Sequence, residues 1–375
     1  MPHSTTPTPE PAPDRDDAVV PVSPQPVHYA EQALLGALLL QPHRLEELGD
    51  MEPEQFADAA HRALFTALRA TPPPDAEQHA RDATWLSTVL TAARATMPTL
   101  TPGYPHQLVQ ACPWPRHLHA YARIVQGEHA RRRLRAAAAR LVRRAGDASL
   151  PHPVPAVLAE ADVLAALVDD VAARFPARAG TLPRLPAPRP ALTPGLEAAE
   201  EEQLVLATAT ARPGDIASVR WLLPEDFTHP LHAGLWQCLT SLARRQEPVD
   251  PVTVLWEAQQ RGLLTNGTHP HDVLRLLAEP AGAIGHWSER VLARSLLAAA
   301  DHAGRRVQEY TDDPTNTPSQ LAAGARRALA DLRAVRTRWE HATEQAPPPQ
   351  RPRLAPTTRA GPPTTASPRP ARTTR

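Results

Sequence analysis

The chain has 375 residues, with 40 basic and 40 acidic side chains, 42% apolar and 4% aromatic residues, and 45 prolines. That length accommodates two or three domains, and balanced charge removes any global pull toward nucleic acid, leaving such binding to local patches. Two cysteines, Cys112 and Cys238, exclude a disulfide scaffold and a cysteine-rich zinc site, and every fixed positive charge is arginine because no lysine occurs.

Residues 1–27 are rich in proline and threonine, acidic, and without the apolar core of a signal peptide, so they read as a disordered arm. A first helical block follows over 28–175. Leu34, Leu35, Leu38 and Leu39 recur at helical spacing near its start. Leu134, Ala138, Leu141 and Val142 form a later stripe with arginines between them. The run Ala33 to Leu40 is the longest strongly apolar one and falls far short of the roughly 20 residues that a bilayer needs. No membrane span is expected, and a reduced, cytoplasmic setting is. Residues 176–195 carry repeated prolines, which sustain neither a helix nor a central strand, and form a linker. A second helical block covers 196–342, with Leu321, Ala325, Leu329 and Leu332 as its last stripe. Residues 343–375 form a basic, disordered Pro/Thr/Arg tail. No sustained alternation of apolar and polar residues suggests a sheet. The expected fold is all-α: two tandem small helical-bundle domains with disordered, proline-rich arms.

The two blocks are copies of one another. Residues 30–70 align with 201–241 without a gap at a shift of 171, and ten of the 41 positions are identical. The identities are Glu31/Glu202, Gln32/Gln203, Leu35/Leu206, Pro42/Pro213, Pro53/Pro224, Glu54/Glu225, Phe56/Phe227, His61/His232, Leu64/Leu235 and Leu68/Leu239. Ala/Leu/Arg-rich helices resemble one another in phase alone, but here proline and aromatic positions also match, which points to a duplicated unit.

The run Ala30-Glu31-Gln32-Ala33-Leu34-Leu35-Gly36-Ala37-Leu38-Leu39-Leu40 resembles the opening helix of the N-terminal domain of DnaB-type replicative helicases. Phe56 followed by His61-Arg62-Ala63-Leu64-Phe65 resembles that domain's next element, and both recur around Glu202 and around Phe227, His232 and Trp236. Pro248 to Leu255 is similar to the family's third helix. The first block departs there: Pro72-Pro73-Pro74-Asp75 precedes a polar, histidine-bearing stretch, so its middle is expected to pack differently. The resemblance implies a non-catalytic collar domain that pairs through a terminal helical hairpin and helps to dock a primase. The family's motor needs a P-loop with a lysine. No such sequence occurs, so ATP hydrolysis is not expected of this chain.

Candidate chemistry is sparse. No carboxylate or cysteine stands at a telling spacing from His61 or His232, so each is expected to be a helix-start histidine packed on the preceding phenylalanine. His117 and His119, like His269 and His271, are two apart and diverge on a helix, so no metal ligand set is assigned. No cofactor is expected either. Cys112 reads as a small buried residue rather than a nucleophile. Arg131, Arg132, Arg133, Arg135, Arg140, Arg143 and Arg144 form the densest charge cluster, either a solvated helix face or a phosphate-contacting one. Two apolar stripes mark interaction hairpins. One holds Leu158, Val163, Leu164, Leu167 and Val168, and the other Leu321, Leu329, Leu332 and Val335.

The leading expectation is a replication-associated interaction protein that binds a replicative helicase, a primase or itself, with its two copies paired as an intramolecular pseudo-dimer or joined in a homo-oligomer. The alternatives are a DNA-binding or regulatory protein working through the arginine helix and the basic tail, and a motor-less helicase paralogue active only with a separate ATPase.

Overall fold

The computed structural model describes residues 25–177, 195–264 and 267–345, and all regular structure among them is helical. The expected arm over 1–24, most of the linker (178–194) and the tail over 346–375 lie outside the described residues. The first helix nevertheless reaches back into the expected arm, because Val27 is helical and buried, and the last helix runs three residues past 342.

The first unit opens with α1 (Pro26–Leu40), whose first turn is set by a proline and which is buried on nearly all sides. A tight 3₁₀ segment (Pro42–Leu48) and a 3₁₀ turn (Pro53–Gln55) lead to α2 (Ala59–Ala70). Asp58 caps α2 by accepting from the N–H groups of Ala60 at 2.7 Å and His61 at 3.3 Å. Then come α3 (Ala76–Arg81), α4 (Thr84–Thr96) and α5 (Tyr104–Gln110), followed by a long hairpin of α6 (Leu118–Ala145) and α7 (Pro153–Arg174).

The second unit repeats this order. Helix α8 (Leu196–Ala211), 3₁₀ pieces at Pro213–Val219 and Pro224–Asp226, α9 (Pro230–Arg245), α10 (Pro251–Gln260) and α11 (Pro270–Leu276) precede the hairpin of α12 (Ile284–Asp312) and α13 (Pro318–Gln345). The 3₁₀ pieces of the two units obey the same shift of 171 as the sequence repeat. The middles differ as the sequence suggests: the first unit has α3 and α4 where the second has the single α10. The histidine of the polar stretch, His79, holds α3 to the core by bonding the carbonyl of Leu39 at 2.9 Å.

Two cores result. One gathers around α1, α2, α4 and α5 and ends on α6 at Val125, with Leu34, Leu35, Phe56, Phe65 and Leu108 at its centre. The other begins on α6 at Ala130, takes in all of α7, and continues without a break through the second unit. Helix α6 therefore crosses from one core into the other. Each fully buried leucine on it stabilises by roughly 1.5–3 kcal/mol, so Leu134 and Leu141, buried in the second core, tie the hairpin to the second unit.

Candidate interaction interface

The two hairpins lie against each other as an antiparallel four-helix bundle. Along α6, Arg131 meets Thr311 near the end of α12, while Ala138 and Val142 further on meet Gly304, so rising numbers on α6 pair with falling numbers on α12. Along α7, Asp162 pairs with Arg336 and Asp169 with Arg326, which makes α7 and α13 antiparallel too.

Small residues permit the approach. A Cβ on Gly304 would stand 2.6 Å from Cγ2 of Val142 and 3.1 Å from the carbonyl oxygen of Ala138. On α6, a Cβ on Gly127 would touch Pro318 at 3.0 Å, where α13 begins. Ala137, Ala138, Ala299, Ala300 and Ala303 are buried alongside. Of the anticipated hairpin residues, Leu164, Leu167, Leu321, Leu329 and Leu332 are buried in this core and Leu158 is half-buried against it. Val163 lies off the buried face, contrary to expectation. It is 51% exposed, and the stripe that faces inward is Val154, Val157, Ala161, Leu164, Val168 and Val171. At about 100° per residue, Val163 sits roughly 130° round the helix from the centre of that stripe.

Most of the arginine cluster is engaged within the fold. Arg131 donates to the carbonyl oxygens of Thr311 at 3.0 Å, Asp313 at 2.8 Å, Pro314 at 3.4 Å and Asn316 at 2.6 Å. It thereby gathers the carbonyls left over where α12 ends and the chain turns into α13. Glu128 pairs with the same guanidinium at 3.2 Å. Arg132 donates to the carbonyl of Gln55 at 2.8 Å, and burial holds its pKa below the usual guanidinium range. Arg133 faces Asp170 at 3.7 Å, Arg135 faces Asp312 at 3.1 Å and Arg140 faces Glu160 at 3.3 Å. These exposed pairs contribute little energy each and mainly fix register. Arg143 and Arg144 make no ion pair among the described residues and remain as the outward basic end of α6.

Each unit also hides a carboxylate–imidazole pair that the sequence expectation lacked. Glu31, fully buried on α1, accepts from the N–H of Ala57 at 2.5 Å, that of Asp58 at 3.3 Å and Nδ1 of His61 at 2.7 Å. Glu202 does the same for Thr228 at 2.6 Å, His229 at 3.3 Å and His232 at 2.8 Å. Burial raises the Glu202 pKa, but the hydrogen bonds from His232 and Thr228 outweigh it and hold the carboxyl below its ordinary value. The histidines are thus ring donors to a carboxylate; the rings beside them are those of His28 and Tyr104 for His61 and of His229 for His232, while Phe56 packs on Phe65 and Phe227 on Trp236. The pair was legible in principle, because Glu31/Glu202 and His61/His232 are both identities of the repeat and stand 30 residues apart in each copy. Tyr104 closes the first pair from the other side, its hydroxyl 2.9 Å from Nε2 of His61, and burial pushes its pKa up to about 12. His28, Asp58 and His61 are the three metal-capable side chains that gather among the described residues. Of the other histidines, His119 faces Glu47 at 3.1 Å and His117 packs on Tyr121. Cys112 and Cys238 are buried free thiols, and burial pushes the Cys238 pKa up to about 11, which disfavours the reactive thiolate.

Residues 23–127 and again 196–288 match the family described as "DnaB-like helicase N terminal domain". The replicative DNA helicase DnaB of Mycobacterium leprae (strain TN) is 34% identical over 113 residues, covering 29% of this chain and 18% of that protein. The chain therefore spans less than a fifth of that relative's length. Among solved structures, the N-terminal domain of DnaB helicase from Mycobacterium tuberculosis is 31% identical, covering 37% of this chain and 96% of that one with a TM-score of 0.32.

Proposed function

Because the chain belongs to the DnaB-like helicase N-terminal domain family, which matches just over half of its length in two segments, we propose that it is a replication-associated interaction module that docks a replicative helicase or a primase and performs no ATP hydrolysis of its own. The carrying observation is the in-chain pairing. The hairpins, which the family resemblance implies for pairing, bury their apolar stripes on each other inside one chain, so other faces are left for a partner. The second unit offers such faces. Val252 and Trp256, one turn apart on α10, are 66% and 60% exposed. A cleft of about 910 Å³ lies beside α9, lined by residues that include Ile216, Leu223, Thr240, Arg220 and Arg244. The family matches cover the N-terminal domain type alone, and a chain without lysine has no P-loop to cradle a nucleotide.

The test is binding of the purified chain to its cognate replicative helicase and primase, and separately to single- and double-stranded DNA, at low and at raised salt. Retention of helicase or primase with little salt dependence is the expected result. Binding of DNA alone, with affinity falling steeply as salt rises, would replace this reading by one built on Arg143, Arg144 and the basic tail. Binding of neither protein would overturn it.

A further inference from the structure

The surroundings of His61 form a metal site in outline. One ligand atom from each of His28, Asp58 and His61 lies within 4.8 Å of the other two, and Nδ1 of His28 is 3.7 Å from Oδ2 of Asp58. Tetrahedral bonds of about 2.0–2.1 Å set donor atoms roughly 3.3 Å apart, so the group is close to a first coordination shell before any ion enters. The imidazoles of His28 and His61 have centroids 4.9 Å apart, near the roughly 5 Å that two rings on one tetrahedral ion would show.

Each donor is prepared in a different way. The Glu31 carboxylate can only accept, so Nδ1 of His61 carries the proton and Nε2 presents its lone pair. A carboxylate behind a histidine is the arrangement that orients ligating imidazoles and raises their basicity. Asp58 uses Oδ1 to cap α2, which leaves Oδ2 facing His28. His28 stands in the first turn of α1 and is 28% exposed, against 34% for Asp58, so an ion reaches the cluster from solvent. The hydroxyl of Tyr104, 2.9 Å from Nε2 of His61, occupies that lone pair in the metal-free protein and must turn aside for an ion to bind.

The geometry points to a divalent transition-metal site of the zinc class, with His28, Asp58 and His61 as ligands and Glu31 holding His61 in place. Imidazole and a single carboxylate suit Zn²⁺, Co²⁺ or Ni²⁺ better than Mg²⁺ or Ca²⁺, which want oxygen. The second unit supplies an internal contrast. Ala199 occupies the position of His28, and His229 that of Asp58. Nδ1 of His229 is occupied by the N–H of Leu231 at the start of α9. Two histidines remain there without a third donor, so the site belongs to the first unit alone.

The experiment uses the untagged full-length chain, stripped with a chelator and titrated with Zn²⁺ by calorimetry and with Co²⁺ by visible absorption. One ion per chain is expected, with a dissociation constant on the order of 10 μM or tighter. His28→Ala, which copies Ala199 of the second unit, and Asp58→Asn, which keeps the helix cap, each weaken binding at least tenfold. His229→Ala leaves it unchanged. Thermal melting separates binding from folding: without metal His28→Ala melts with the wild type, and Zn²⁺ raises the Tm of the wild type only. Should Asp58→Asn fail to fold, His28→Ala alone carries the test. No heat and no cobalt spectrum at 1 mM metal, undiminished binding by His28→Ala, or an equivalent lost with His229→Ala would each overturn the site.

Discussion

Replacing Gly304 by leucine probes the in-chain pairing at its tightest point. The atoms that a Cβ would strike are Cγ2 of Val142 at 2.6 Å and the main-chain oxygen of Ala138 at 3.1 Å. The first belongs to a β-branched side chain with one favoured helical rotamer and the second to backbone, so neither turns aside. Two effects oppose each other. Removing a glycine from a helix interior gains about 1 kcal/mol, while crowding a packed core costs roughly 1–3 kcal/mol. Gly304→Ala should therefore fall between neutral and about 2 kcal/mol destabilised, and Gly304→Leu, three carbons larger, should lose about 3 kcal/mol or more. Gly285 on the same helix is the control. Nothing lies within 4 Å of its Cβ position, so Gly285→Ala should be neutral or gain up to about 1 kcal/mol. Urea unfolding of the full chain measures these differences. A protease site placed within 178–194 then shows what they mean for pairing: after cutting, wild-type halves should elute together on gel filtration and Gly304→Leu halves should separate. If Gly304→Leu unfolds at the wild-type urea concentration and its cut halves stay together, the α6–α12 contact is not what joins the units.

Arg131→Met keeps the apolar stem but leaves the Thr311–Asn316 carbonyls without their donor, and should lose about 2 kcal/mol, whereas Arg143→Ala should change stability by less than about 0.5 kcal/mol; urea midpoints distinguish them. Glu31→Ala strands the buried His61 ring and two part-buried N–H groups and should lose about 2–3 kcal/mol, while Glu31→Gln, which retains an acceptor, should lose less. Burial, with Arg132, Arg133 and Arg174 nearby, lowers the pKa of His129 to about 4. The fold prefers the neutral ring and the unfolded chain takes up the proton first, so this contribution is complete above pH 6.5 and is lost as the pH falls toward 4. After allowance for partial exposure, about 1–2 kcal/mol is at stake. His129→Gln should remove that part of the acid sensitivity, which melting curves between pH 7 and 4 would register, and an unchanged pH profile would assign the sensitivity elsewhere.

Much of the architecture was legible because duplication prints each element twice. The shift of 171 that pairs α1 with α8 also pairs the short 3₁₀ pieces of the structure, whose prolines stand at matching positions. What failed did so where contacts are distant in sequence. The arginines of α6 look alike as a string, yet Arg131 reaches carbonyls about 180 residues away and Arg132 reaches Gln55; no local pattern encodes such partners. Glu31 was not connected to His61 because the two lie 30 residues apart, beyond any helical spacing. Val163 was counted into the stripe because apolar residues cover more of α7 than its buried face does.

A pairing made inside one chain is encoded by two separate stretches of sequence. In a two-fold homodimer every substitution appears on both sides of the axis at once. Here the hairpins share a core, yet each side of the bundle mutates alone. The traces are present: α3 and α4 stand opposite α10, Asp58 opposite His229, and the exposed Trp256 is on one flank only. Such a molecule is unsymmetric and therefore has an orientation: its two ends present different surfaces.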